Sequence, residues 1–425
     1  MSRDSISAIA ARRVWDSRGR PTIEAEVRLD GGATGRAIAP AGASRGSGEA
    51  VDLRDGGDAL GGMDVQGALS AVGDQIAKVL RGMRATEQAA IDDALIALDG
   101  TPDKSRLGGN ATVAISMAVA HAAAAAAGEP LWRYLAQGRP VRLPLPQIQI
   151  FGGGAHAGRR IDIQDLMVVP IGANTFAEAL VMTAEIYRAA GALMAERGAL
   201  HGVADEGGWW PDFASNEEAI ETLVRAIERA GFVPGADAAI ALDVAASEFG
   251  KNGSYQLALE KRTLDSAGMA ELLGRWLKRY SIVSIEDPLA EDDAAGMRAL
   301  TAAHGARTQI VGDDYLVTNA ARVRAAAAER SCNAVLIKPN QAGTLTEAKA
   351  ALDAARAAGF GTIVSARSGE TEDVTIAHLA VGWDAGQLKV GSFARSERMA
   401  KWNEVLRIEE MSGAPLAKPL PRLAQ

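Results

Sequence analysis

Tyr280-Ser281-Ile282-Val283-Ser284-Ile285-Glu286-Asp287-Pro288, Thr308-Gln309-Ile310-Val311-Gly312-Asp313-Asp314 and Ala334-Val335-Leu336-Ile337-Lys338-Pro339-Asn340-Gln341 decide the fold of this 425-residue chain. Each is a short aliphatic run that ends on a charged residue and then breaks at Pro or Gly. Alanine-rich, helix-prone segments such as Ala320 to Glu329 lie between them. Short β-branched runs alternating with helical patterns predict βα units and a parallel sheet buried on both faces. Charges at the ends of such strands fall on the carboxyl-end rim, where α/β barrels carry their chemistry. Acids and a lysine on one rim read as a divalent-cation site beside an amine base.

The same rhythm extends in both directions. Ala239 to Leu242 ends at Asp243, Thr362-Ile363-Val364 at Ser365-Ala366-Arg367-Ser368, and Gln387-Leu388 at Lys389. Upstream, Ile161 to Pro170 reads as a strand with polar residues, Gln164 and Asp165 among them, on one side. Val203 to Gly208 places Asp205 and Glu206 before a sharp Gly-Gly turn. A barrel of about eight such units needs roughly 250 residues, and about that many follow the proline-punctuated stretch Pro140 to Pro146. Ahead of it, residues 6 to 40 read as β structure with a turn at Asp30-Gly31-Gly32, and Val65 to Ala97 and Ala111 to Ala127 as helical. The expectation is an α/β protein with an N-terminal α+β domain (1–137) followed by a modified (β/α)8 barrel (138–425). Pro40 to Gly46 is too small to pack as an element, and reads as a connector or as a mobile loop that closes over a ligand.

Composition narrows the function. A net charge of −8 with no basic stripe argues against nucleic acid. No apolar run approaches the roughly 20 residues needed to span a bilayer, and no secretory apolar segment opens the chain. Cys332 is the one cysteine, so no internal disulfide can form. A cytoplasmic home without a membrane partner follows as the expectation, with Cys332 packed as a small hydrophobe.

Asp243, Glu286 and Asp313 each end a different strand. Three carboxylates with no paired His or Cys suit a hard cation that prefers oxygen, Mg²⁺ before Zn²⁺. One acid in such a place usually caps a helix or pairs with a neighbour. Three in succession, followed by Lys338 and Lys389 in the same setting, point instead to a site. A lysine acts as a base only when neutral, and a nearby cation and a second lysine both depress its pKa. With Glu206 free in its turn as an acid, the set suits proton abstraction α to a carboxylate with loss of a β-hydroxyl.

At these residues the sequence resembles the enolase family, the phosphopyruvate hydratases of glycolysis. The resemblance runs through Asp16-Ser17-Arg18-Gly19-Arg20-Pro21-Thr22, Asp205-Glu206-Gly207-Gly208, Asp243 to Phe249, Ser284 to Pro288, Lys338 to Gln341, Ser368 to Asp373 and Arg407-Ile408-Glu409-Glu410. It implies a homodimer, Mg²⁺ at one structural and one catalytic position, and dehydration of 2-phosphoglycerate to phosphoenolpyruvate. By position Lys338 is the implied base and Glu206 the acid, partnered by Asp165. Asp243, Glu286 and Asp313 are implied to hold the first ion, and Ser44 to reach the second. Gln164, Lys389, Arg367 and Ser368 are implied to contact the substrate carboxylate or phosphate, with His156 nearby.

The departures from the family pattern fall around the pocket. Ala366 stands in place of a histidine, Arg45 in place of a threonine, Asp165 in place of a glutamate and Gly152 in place of an asparagine. Two readings stay open at this point. One is an ordinary enolase in which Arg45 takes over from the lost imidazole. The other is a relative that dehydrates a related phosphorylated or phosphonylated hydroxy acid. A non-catalytic scaffold predicts loss of the metal carboxylates or of Lys338, and all are present.

Overall fold

A computed structural model describes residues 2–43 and 45–418. The chain opens with three antiparallel strands, β1 (Ile6–Trp15), β2 (Pro21–Leu29) and β3 (Thr34–Ile38), in the order β1-β2-β3. Helices α1 (Gln66–Ala71), α2 (Ala77–Leu80), α3 (Gln88–Asp99), α4 (Gly109–Ala127) and α5 (Leu131–Ala136) follow; α4 packs on β2 and β3, α1 and α2 touch β1, and α3 and α5 pack on α4. The single helix expected over Val65 to Ala97 is broken. A π-helical turn (Val72–Ile76) joins α1 to α2, and Arg81 leaves helical geometry with ψ 128 before Gly82 turns left-handed.

The helix α4 is the spine of this part. Apolar on nearly all sides, it is buried from Gly109 to Ala124 apart from a half-buried His121. Gly35 of β3 lies so close that a β-carbon there would collide with the Ala122 backbone. By length and composition α4 is apolar enough to cross a bilayer, contrary to the expectation that no run approaches that size. Here its apolar surface is spent on packing, as a helix that is hydrophobic all round requires.

From Leu145 the chain builds a closed barrel. Its strands are β4 (Leu145–Gly152), β5 (Asp165–Val169), β6 (Ala239–Asp243), β10 (Ile282–Glu286), β11 (Gln309–Gly312), β12 (Ala334–Ile337), β13 (Gly361–Ser365) and β14 (Gly386–Ser392). Helices α6 (Phe176–Glu196) and α7 (Asn216–Arg229) both follow β5. A small antiparallel sheet, β7 (Gly250–Lys251), β8 (Ser254–Leu257) and β9 (Arg262–Asp265), follows β6. Then α8 (Ser266–Arg279), α9 (Ala294–His304), α10 (Ala320–Glu329), α11 (Pro339–Ala342), α12 (Leu345–Ala357), α13 (Thr375–Gly382) and α14 (Ser396–Ser412) wrap the outside.

The parallel expectation fails at one strand. β5 runs antiparallel to both β4 and β6, so two strands and two helices precede the regular βα repeat. The strand is also shorter than Ile161 to Pro170. Its first residues form a loop tied by Asn216, whose Oδ1 accepts from the Asp162 and Ile163 amides. Cys332 is buried as expected, its thiol pushed up to about 12 chiefly by that burial.

The half-buried His121 and the buried His378 join α4 to α13. The rings of His121 and His378 meet edge to face at 6.1 Å. Burial and the neighbouring His121 hold His378 down at about 4, against the opposing pull of Asp373. The unfolded chain takes up this proton below 6.5, the folded one only below about 4. Stability therefore falls as pH drops through that window, by on the order of 3 kcal/mol at its lower end. Denaturant midpoints at pH 7 and pH 4.5 measure the slope, and His378→Gln should flatten it. An equal slope in the variant removes His378 as the cause.

Candidate active site

The carboxyl ends of the barrel strands gather most of the expected residues. Asp243 closes β6, Glu286 closes β10 opposite it in register, and Asp313 follows β11. Lys338 follows β12 and precedes α11, whose first residue is Pro339. Arg367 and Ser368 follow β13. Lys389 lies within β14 and not at its end, because the strand continues to Ser392. Asp165 opens β5, whose reversed direction brings its first residue to the same rim. A narrow cavity is lined by His156, Gln164, Asp165, Glu206, Asp243, Lys338, Arg367, Ser368 and Lys389.

Glu206 reaches this cavity from the loop between α6 and α7. The loop is pinned by Tyr187, whose hydroxyl donates to the Gly207 carbonyl at 2.8 Å, and by Trp209 stacked on the Tyr187 ring. Gly207 has φ +92, and a β-carbon there would collide with the Ala394 carbonyl, so the turn requires glycine. The Ser392 amide donates to the Glu206 carbonyl, which locks the loop onto β14.

Charge is crowded here and nearly all of it is paired internally. The Lys389 ammonium lies 2.8 Å from Asp243, 2.8 Å from Glu286 and 3.1 Å from Asp165. Burial works against that ammonium, yet the three acids hold its pKa well above the ordinary lysine range. Burial likewise raises Asp165, but Lys389 and His156 outweigh it and hold the carboxyl well below its usual range. Glu286 is left short of positive charge, and burial and Asp243 raise its carboxyl far above normal. His156 stands 3.0 Å from Asp165 and 3.6 Å from Glu206. Burial lowers it, the two acids overcome that, and the imidazole rises to about 9.

The depression expected of Lys338 depends on a cation and a second lysine beside it, and Lys389 does lower its pKa. Among the protein's own groups burial, Arg367 and Lys389 lower it, while Asp313, which pairs with the ammonium, and Glu286 outweigh them and raise it.

The acids fit a hard cation in donor type, since oxygen is the only ligand atom they offer. Glu286 Oε1 and Gln164 Oε1 are buried and accept no hydrogen bond among the described residues. A buried oxygen without a donor is costly, and a cation satisfies it. The tightest groupings, however, differ from the expected trio. His156, Asp165 and Glu206 place ligand atoms within 4.8 Å of one another, as do Asp287, Asp313 and Asp314. In the second grouping Asp287 is already used, accepting from the amides of Asp313 and Asp314. The Lys389 ammonium lies between Asp243 and Glu286.

On the anion-binding side, Arg367 is buried and pairs with Glu49 at 3.0 Å. Ser368 Oγ accepts from the Ala43 amide and lies 3.4 Å from His156 Nε2. Arg45 is not brought to the cavity. Its guanidinium bonds Asp52 at 3.0 Å, half exposed, so it does not occupy the space beside Ala366. Ser44 lies outside the described residues.

Sequence reasoning missed several supports. The buried Arg398 of α14 donates to the carbonyls of Arg367, Val390 and Ser368, which fixes the loop carrying the anion ligands. Ser17 holds the Glu370 backbone, and Arg18 pairs with Asp205 beside Glu206. The motif Asp16-Ser17-Arg18 was visible, but its role depends on contacts across the whole chain. Glu49 carried no signal beyond its proximity to Ser44.

A closed barrel with acids and cations gathered at the carboxyl ends of its strands defines a class of enzyme that does its chemistry at that rim. Family models for the enolase N-terminal domain and the enolase C-terminal TIM barrel domain match residues 6–135 and 140–417. The chain is 52% identical over 405 residues to the enolase of Acidothermus cellulolyticus, covering 95% of this chain and 94% of that protein. The chain belongs to the enolase family.

Proposed function

We propose that this protein is a hydro-lyase that dehydrates 2-phosphoglycerate to phosphoenolpyruvate in glycolysis, with Mg²⁺ held by Asp243, Glu286 and Asp313. The observation that carries the reading is one cavity lined by Lys338 and Glu206 together with Arg367, Ser368 and His156. Lys338, as the free amine, takes the proton from C2. Glu206 gives a proton to the C3 hydroxyl, which departs as water. Arg367 and His156 supply positive charge for the phosphate, and Ser368 a hydroxyl. Lys389 and Gln164 face the substrate carboxylate, and Asp165 keeps His156 oriented and charged. Asp243, Glu286 and Asp313 would hold the divalent cation, which would compete with Lys338 for Asp313 and would supply positive charge against the negative charge that builds on the substrate carboxylate. A second ion, reached by Ser44, follows from the family resemblance alone.

The ordinary-enolase reading gave Arg45 the place of the lost imidazole, and Arg45 is turned instead to Asp52; the reading of a different phosphorylated acid is set aside on the 52% identity over 95% of this chain to an enolase. We further infer a homodimer in the cytoplasm, and two domains at 1–137 and 138–425 with the loop 40–46 moving over the site. Ala41 and Gly369 exchange backbone hydrogen bonds, which is the docking such a loop needs. The test is turnover of 2-phosphoglycerate with Mg²⁺, followed by the absorbance of the enol product. Expected efficiency is roughly 10⁵ M⁻¹s⁻¹ or more, lost on adding a chelator. A well-folded protein inert toward 2-phosphoglycerate overturns the assignment.

A further inference from the structure

The segment Lys338 to Gln341 was singled out for its lysine, yet its last residue has the denser set of contacts. Gln341 is buried. Its Nε2 donates to Asp313 Oδ1 at 3.0 Å and to Glu49 Oε1 at 3.1 Å. Its Oε1 accepts from the Thr318 hydroxyl at 2.6 Å, and its backbone carbonyl accepts from the Ala50 amide at 2.8 Å. The orientation of the amide is fixed by chemistry. Two carboxylates can only accept, so the NH₂ must face them and the oxygen must face the hydroxyl. Thr318 thus spends its one proton on Gln341, and its oxygen accepts from the Lys338 amide at 2.9 Å.

Both arms of this network end on the same residue. One reaches the Lys338 backbone through Thr318. The other reaches its ammonium through Asp313. A third arm leads through Glu49 to Arg367. The backbone around Thr318 is held in an unfavourable form to make this possible. Val317 and Thr318 have φ +45 and +52, the left-handed region that β-branched residues avoid. Strain of this kind persists only where surrounding contacts enforce it, and it gathers at functional sites. Gly46 approaches Val317 so closely that a β-carbon there would lie 2.5 Å from Cγ1.

We propose that Gln341, with Thr318, is a positioning residue that ties the base Lys338 to the anion-binding Arg367 and to the segment Gly46 to Ala50. The proposal deepens the dehydratase reading and rests on it. Its distinguishing property is coupling between residues that share the network. Gln341→Met keeps length and removes every side-chain donor and acceptor. It should lower both kcat and the rate of substrate α-proton exchange by about ten- to a hundredfold, as lost buried hydrogen bonds do. Thr318→Val should lower them by about tenfold, while Thr318→Ser, which keeps the hydroxyl, should stay within about threefold of wild type. The Gln341→Met, Thr318→Val double variant should lose less than the product of the two single losses, because the hydroxyl acts in part through the amide and in part directly on the Lys338 backbone N–H. Amide hydrogen exchange across residues 45–50 should quicken in Gln341→Met while the thermal midpoint stays near that of wild type.

Losses in the double variant that multiply overturn the relay, as does wild-type proton exchange in Gln341→Met. If Gln341→Met does not fold, the contrast between Thr318→Val and Thr318→Ser decides, and equal activities in that pair overturn it. A wild-type protein inactive on 2-phosphoglycerate overturns the function instead, and the hydrogen exchange of residues 45–50 then judges the relay alone.

Discussion

Replacing Lys338 by alanine is expected to stop exchange of the substrate α-proton with solvent deuterium, while Glu206→Gln stops dehydration and leaves that exchange measurable. The two variants separate because the groups act at different bonds. Lys338 serves C2, where exchange is read, and Glu206 serves the C3 hydroxyl, where product is read. Loss of a positioned acid or base costs about 10² to 10⁴ in rate. Here the lysine carries the larger share, since its removal also leaves Asp313 buried beside Asp287 and Asp314 with one compensating cation fewer. Mass spectrometry of recovered substrate gives the exchange rate. If Lys338→Ala exchanges the proton as fast as wild type, Lys338 is not the base.

The second large effect concerns the acids. Asp243→Ala, Glu286→Ala and Asp313→Ala should each lower turnover by at least about 10³ and weaken Mg²⁺ binding, since two acids do not replace the charge and ligation of three. Stability offers a readout independent of activity. A ligand present at 100 times its dissociation constant stabilises the folded state by about 2.7 kcal/mol. Wild type should therefore gain several degrees in thermal midpoint on adding Mg²⁺, and Glu286→Ala should gain almost none. Without the ion the same variant should be close to wild type in stability, because Glu286 is the acid least supported by positive charge. Equal Mg²⁺ stabilisation in all three variants removes these acids as the metal ligands.

The strand ends were legible because three cues coincided there. The runs ending at Glu286, Gly312 and Ile337 combine β-branching, a charged or polar stop and a Pro or Gly break, and each became a barrel strand within a residue or two. The helix from Ala320 to Glu329 formed with those bounds. The reversed strand β5 was hidden because periodicity reports burial, not direction. Direction there is set by the chain returning after β4 without a helix long enough to cross over. The break at Arg81 was hidden because Gly82 lies inside an otherwise helical pattern.

At the site, residue types were legible and pairings were not. Asp243, Glu286, Lys338 and Lys389 announced themselves by position. That Lys389 settles among three carboxylates follows from strands that meet only once the barrel closes. Arg45 was misplaced because adjacency to Ser44 says nothing of Asp52, seven residues on and within reach of its guanidinium. Gln341 and Glu49 have no charge pattern that marks them, and their role rests on partners far away in the chain.

The nearly all-apolar helix α4 bears on how the chain is made. Its early partners, β2 and β3, leave the ribosome before it and can cover one side at once. Its other side packs on α11 and α12, which emerge only when most of the barrel has been synthesised. Until then a length of greasy helix, long enough to be mistaken for a membrane anchor, stands half covered. Domains fold in order of emergence, and bare apolar surface invites aggregation during that interval. Translation that stalls before Pro339 thus leaves a nascent chain in which that side of α4 is still uncovered.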